Sequence, residues 1–188
     1  MLVTGLMALQ GCATRPIERT EPNGSVAPAR SMVPAFELYG RLSASDGTEA
    51  AHGQFHWRHT PDHDRLTVST PLGQIVAQLT RNAAGAVLVL ADGKRLEASD
   101  ANTMLPAVLG VEAPLEALPN WVQAIPRSGA RVLGLESGGR PARIGDSGWI
   151  IDYGEYATPL PDAVPRRLEA SRGDTRIRLI IDEWNRLP

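Results

Sequence analysis

Gln54-Phe55-His56-Trp57-Arg58-His59-Thr60-Pro61-Asp62-His63-Asp64-Arg65-Leu66-Thr67-Val68-Ser69-Thr70-Pro71-Leu72-Gly73 is the stretch that decides the fold. Phe55 and Trp57 alternate with Gln54, His56 and Arg58, and Leu66 and Val68 alternate with Arg65, Thr67 and Ser69. Period two is the signature of a strand with one buried face. Pro61-Asp62 turns the first strand into the second. Thr70-Pro71-Leu72-Gly73 then leads into a third, and Pro at its second position with Gly at its fourth suits a type I turn. A large apolar residue at a turn tip is unusual. Leu72 either faces solvent, where it can meet a membrane or an apolar partner, or folds back into the core. The residues alone leave both open.

The same alternation extends in both directions. Phe36, Leu38, Gly40 and Leu42 alternate with Glu37, Tyr39, Arg41 and Ser43. Ile75, Ala77 and Leu79 follow, then 87–90, with Asp92-Gly93 as a tight-hairpin signal. Strand-like runs return at 149–153 and 176–184. Between them, Ser99 or Asp100 caps a short helix carrying Val108 and Leu109, which Gly110 stops and Pro106 limits or bends. A second short helix spans Leu115 to Val122. Strands on both sides of a helical insert predict an α+β fold: a strongly curved antiparallel sheet with short helices over one opening.

The chain has 188 residues and a formal net charge of −2. Near-neutrality excludes the basic footprint that nucleic-acid binding needs. Lys94 is the only lysine and the arginines form no long run, which argues against a polybasic membrane patch. No run of about twenty apolar residues offers a spanning helix.

One cysteine, Cys12, can form neither an intrachain disulfide nor a cysteine zinc cluster. It follows an apolar, uncharged run, and Leu9-Gln10-Gly11-Cys12 has the form of a bacterial lipobox, in which the thiol takes a diacylglyceryl group. Gln10 is an unusual member. A signal peptide normally opens with basic residues, and none precedes Arg15, so the natural start is expected further upstream. The alternative is an incidental cysteine in a disordered end. Residues 13–34 are mostly Thr, Arg, Glu, Pro, Asn, Gly, Ser and Ala with few large apolar side chains, and they read as a tether. The expected layout is therefore a signal at 1–11, a lipidated Cys12 with a flexible linker at 12–34, and one domain at 35–188. The covalent lipid on Cys12 is the only cofactor-like group expected.

All four histidines, His52, His56, His59 and His63, fall in one stretch. Their spacing would suit a metal site on a helix, but the strand pattern places them on a polar face or near the turn, and no metal site is expected. The chain lacks G-x-S-x-G, H-E-x-x-H, the P-loop and G-x-G-x-x-G motifs, so no enzyme activity is expected. Asp146-Ser147 and Asp182-Glu183 read as solvated strand ends and turns. The tryptophans Trp57, Trp121, Trp149 and Trp184 either fill a core or line a cavity for acyl chains.

Together these segments resemble the LolB family of outer-membrane lipoproteins. The matching elements are Gly40-Arg41-Leu42, Gly53-Gln54-Phe55-His56-Trp57, Pro71-Leu72-Gly73, Ala91-Asp92-Gly93, Leu115 through Trp121-Val122 to Pro126, 149–153 with Tyr156, and Asp182-Glu183-Trp184. The resemblance implies a half-open antiparallel β-barrel with a short helical lid over a hydrophobic cavity. It implies an acceptor that takes lipoproteins from the periplasmic carrier LolA and inserts them into the inner leaflet of the outer membrane. The family's exposed loop leucine falls on Leu72, within the insertion loop Pro71, Leu72 and Gly73. Its cavity tryptophan falls on Trp57, and Phe36, Leu38, Phe55, Leu66, Trp121, Trp149 and Trp184 are further candidates to meet acyl chains. The expected protein is a monomer, lipid-anchored at Cys12 and facing the periplasm. Ala13 after the cysteine is compatible with export outward. A lipid-anchored module for another apolar ligand, such as a fatty acid or phospholipid, is the alternative. A structural lipoprotein with a packed core is a third reading.

Overall fold

The alternation found in the sequence becomes one continuous antiparallel sheet. The structure is a computed structural model that describes residues 30–188; the expected signal, Cys12 and most of the expected tether lie outside the described residues. The strands are β1 (Phe36–Ser45), β2 (Ala50–Thr60), β3 (His63–Ser69), β4 (Ile75–Asn82), β5 (Gly85–Leu90), β6 (Arg95–Ala98), β7 (Arg131–Leu135), β8 (Pro141–Asp146), β9 (Trp149–Tyr156), β10 (Pro165–Arg172) and β11 (Thr175–Arg186). Their order is β6-β5-β4-β3-β2-β1-β11-β10-β9-β8-β7, with eleven strands in one sheet. The sheet is open, because the edge strands β6 and β7 do not pair with each other. β7, β8 and β10 were not legible as strands; glycines and register shifts interrupt β7 and β8, and register shifts also fall in β10.

Period two holds on nearly every strand. In β2, Gly53, Phe55, Trp57 and His59 are buried while His52, Gln54 and Arg58 are exposed. The inward residues of strands from both halves of the sheet belong to one hydrophobic cluster, so the sheet curls around its own core. The chain crosses from edge to edge through residues 99–130. Asp100 caps a 3₁₀ turn at Ala101–Met104, its carboxylate accepting from the Asn102 amide at 2.9 Å. Helix α1 (Leu105–Leu109) follows, and Gly110 ends it at φ 74°, a left-handed position that glycine takes without steric strain. Pro106 sits in the first turn of α1, where its missing N–H is harmless, so it starts this helix rather than bending it. Helix α2 is only Leu118–Trp121. Met104, Leu105, Val108, Leu118, Trp121 and Val122 from this crossing are buried in the same cluster.

The strand registers sort the turns to two ends. The turns at 46–49, 70–74, 91–94, 147–148 and 173–174 share one end. The turns at 61–62, 83–84, 136–140 and 157–164 share the other, together with the entry of the chain at 30–35. Residues 30–34, the last of the expected tether, lie against the body. Arg30 donates to the carbonyl oxygens of Pro161, at 2.6 Å, and of Ala163. Gln123 is buried and clasps Val33 twice, accepting from its amide at 2.8 Å and donating to its carbonyl at 3.1 Å.

Candidate functional site

Leu72 rides on a three-residue hairpin loop. The Gly73 amide donates to the Thr70 carbonyl at 2.9 Å, and the Thr70 amide donates to the Gln74 carbonyl at 2.8 Å. Gly73 has φ +84°. This is the turn-plus-left-handed-glycine closure common in short hairpins. Pro71 pre-sets the turn and Gly73 ends it, which leaves Leu72 at the tip with no neighbour to pack on. It is 91% exposed. Ile75 and Val76, the first residues of β4, are also exposed apolar side chains near this turn.

The acyl-chain candidates fall into two groups. Phe36, Leu38, Trp57 and Leu66 are buried on adjacent strands, with Leu38 opposite Trp57 and Trp57 opposite Leu66. Phe36 meets Trp57 edge-on and stacks on Trp184, which is only half-buried. Phe55 is buried across from Gly40. Trp121 and Trp149 form a separate pair with ring centroids 5.5 Å apart. A cleft of about 650 Å³ opens at the tether end, among Met32, Pro34, His59, Asp64, Arg81 and Leu115. None of the eight candidates lines it.

Two buried carboxylates organise these groups, and neither was expected. Asp64 accepts from the Trp57 indole at 2.9 Å, meets His59 Nδ1 at 2.6 Å and pairs with Arg81. Burial alone would raise its pKa, but the bonds from His59, Trp57 and Arg81 hold the carboxyl below its ordinary value. His59 thus departs from the expected polar position. It shares the inward parity of Phe55 and Trp57 and is buried because Asp64 satisfies its ring nitrogen. Asp146 is likewise buried rather than solvated. It accepts from the Trp121 indole at 2.8 Å and pairs with Arg127 at 3.2 Å, so the helical crossing is bonded to the end of β8. Asp182, by contrast, is exposed and binds Arg41. Among the described residues, no group of three or more His, Cys, Asp and Glu is placed to hold a metal ion. No helix there is long and apolar enough to cross a membrane.

With this geometry in hand, three comparisons bear on the chain. A family model described as outer membrane lipoprotein LolB matches residues 34–184. An outer-membrane lipoprotein LolB of Azoarcus sp. is 45% identical over 95% of this chain and 90% of its own length. Its counterpart in Thiobacillus denitrificans is 38% identical over 96% of this chain and 94% of its own. Among solved structures, a LolA superfamily protein of Nitrosomonas europaea superposes with a TM-score of 0.53 at 9% identity, covering 87% of this chain and 91% of that one. That likeness is one of fold.

Proposed function

This chain belongs to the LolB family of outer-membrane lipoproteins, and on that premise we propose how its parts divide the work. It is an outer-membrane lipoprotein, facing the periplasm, and a lipoprotein receptor of the Lol pathway. It takes lipoproteins from a LolA-type carrier and inserts them into the inner leaflet of the outer membrane. Cys12 carries the acyl anchor, residues 13–34 tether the body, and residues 35–188 form the receiving domain.

The physical problem is exposure of acyl chains. At about 0.8 kcal/mol per CH₂, a chain of roughly sixteen carbons costs on the order of 10 kcal/mol to place in water. A handover from cavity to cavity avoids that state, and the last step runs downhill into lipid. The inward apolar face of the sheet, with Phe36, Leu38, Phe55, Trp57, Leu66, Trp121, Trp149 and Trp184, receives the chains. Most of these side chains are packed, so acceptance requires the crossing at 99–130 to shift as a lid. Its α1 and α2 are five and four residues long, too short to be stable without tertiary packing, which suits a part that must move.

The observation that carries this reading is Leu72. A leucine 91% exposed adds almost nothing to the fold, whereas burying it in a bilayer returns about 1.5–3 kcal/mol. Pro71 and Gly73 hold it outward for that contact. The test is transfer from a carrier loaded with lipoprotein to the Cys12→Ala chain, followed by release into vesicles. Leu72→Glu is expected to accept lipoprotein normally, to melt within about 2 °C of the parent as exposed-site changes do, and to lose insertion. Unimpaired insertion by Leu72→Glu would show that the loop has another role.

A further inference from the structure

The tether and the insertion loop leave the body at opposite ends. Residues 30–34 enter beside the turns at 61–62 and 157–164, whereas Leu72 projects from the end that carries the turns at 46–49 and 91–94. The exit of the tether is fastened there. Arg30 is held by the Pro161 and Ala163 carbonyls, its guanidinium lies 5.7 Å from the centre of the Tyr156 ring, and Val33 is clasped by the buried Gln123. Strands of seven to eleven residues separate the two ends, which at about 3.3 Å per residue amounts to about 25–35 Å.

We propose that the strap at 30–34 fixes the exit of the anchor leash at the end opposite Leu72. The length of the leash then decides whether Leu72 can touch the membrane that holds Cys12. The inference rests on the reading above, in which Cys12 is the anchor and Leu72 inserts. Residues 13–29 join Cys12 to the strap and reach at most about 60 Å at about 3.4 Å per residue. That spans the body with length to spare. An anchored molecule can therefore hang with its tether end toward the bilayer or turn over and set Leu72 down on the same bilayer. Deleting residues 15–26 keeps Ala13 and Thr14 beside the cysteine and leaves a reach of about 20 Å, shorter than the body.

The experiment compares lipidated full-length protein, the 15–26 deletion and a Gly/Ser refill of the same length. Each is reconstituted sparsely in supported bilayers and offered a carrier loaded with a fluorescent lipoprotein. Insertion into the holding bilayer is expected to fall about tenfold or more on deletion, because effective concentration drops to near zero when a linker cannot span its sites. The refill is expected to restore it. Arg30→Ala with Gln123→Ala, added to the deletion, frees the strap and is expected to recover part of the loss. The same deletion in the Cys12→Ala chain is expected to insert into vesicles normally, which excludes misfolding. Full insertion by the anchored deletion, or a refill that fails to restore it, overturns the proposal. If Leu72→Glu in the Cys12→Ala chain also inserts normally, the underlying reading falls with it; if that variant fails while the anchored deletion works, only the leash inference is wrong.

Discussion

Asp64 draws three donors into a site that water barely reaches: the Trp57 indole, His59 Nδ1 and Arg81. A buried charge is tolerable only when its partners replace water, and here two partners come from β2 and the third from β4. Removing one member of a buried ionic set typically costs about 3–5 kcal/mol, so Asp64→Asn is expected to lower unfolding free energy by about that amount in urea titrations. The pH response has a definite sign. The folded carboxyl titrates below its ordinary value of 3.8, so its contribution is complete above about pH 4 and is lost as pH falls through the lower folded pKa. The parent should therefore lose stability more steeply than Asp64→Asn below about pH 4; parallel acid limbs would mean that the carboxyl is not held down. Part of this site was readable. Phe55, Trp57 and His59 share one parity, as do Asp64, Leu66 and Val68, so both polar residues point inward by simple counting. What could not be read is that Arg81 arrives from the far end of β4, opposite Asp64, because that depends on the register set by the Leu72 turn. The exposure of Leu72 was undecidable for a related reason. A Pro-x-Gly turn determines the direction of a tip, and only the neighbouring strands determine whether anything meets it.

At the scale of elements, two motifs far apart in sequence are halves of one device. β1 and β11 pair with a shift between Tyr39 and Gly40, where Tyr39 faces Glu183 and Gly40 faces Ile181. Asp182 is the extra residue of this bulge, and its carboxylate takes both the Nε and an Nη of Arg41. The bulge brings the Ile180 carbonyl so close to Gly40 that a Cβ there would lie 2.1 Å from its oxygen and 2.9 Å from the Phe55 ring. Glycine is required by approach, not by dihedral angle. Gly40→Ala is thus expected to destabilise the domain by about 1–3 kcal/mol or more, the range for overpacked sites. Arg41→Ala should change stability by less than about 1 kcal/mol, because the pair is exposed and screened. Thermal melting of the two variants checks the contrast; a larger loss for Arg41 would place the ion pair above the close packing. β1 and β11 themselves were legible from period two. The bulge was not, since nothing in Gly40-Arg41-Leu42 or Asp182-Glu183-Trp184 announces that they meet.

The whole molecule is arranged about its two chain ends. β1 is the central strand, with five strands on either side, and it pairs with β11, the last strand. The middle of the sheet thus joins residues nearly the whole domain apart, a pairing that demands costly loop closure and slow folding. The periphery is weaker by construction. β6 has four residues, and β7 pairs with β8 through two register shifts. The crossing at 99–130 links these edges, through buried side chains such as Leu105 and Trp121 and the bond from Trp121 to Asp146. If that crossing is the part that moves when acyl chains enter, its openings must be cheaper than global unfolding, and the edges that it covers must open with it. Native-state hydrogen exchange measures this directly. Amides of β1 and β11 are expected to exchange last, with protection falling outward to β6 and β7. Trp121→Phe, which removes the bond to Asp146, should speed exchange in the crossing and both edge strands while leaving β1 unchanged. Edge amides as slow as those of β1 would mean that the crossing clamps the open sheet into one cooperative unit. Acyl chains would then have to enter through the cleft at the tether end instead of beneath a moving lid.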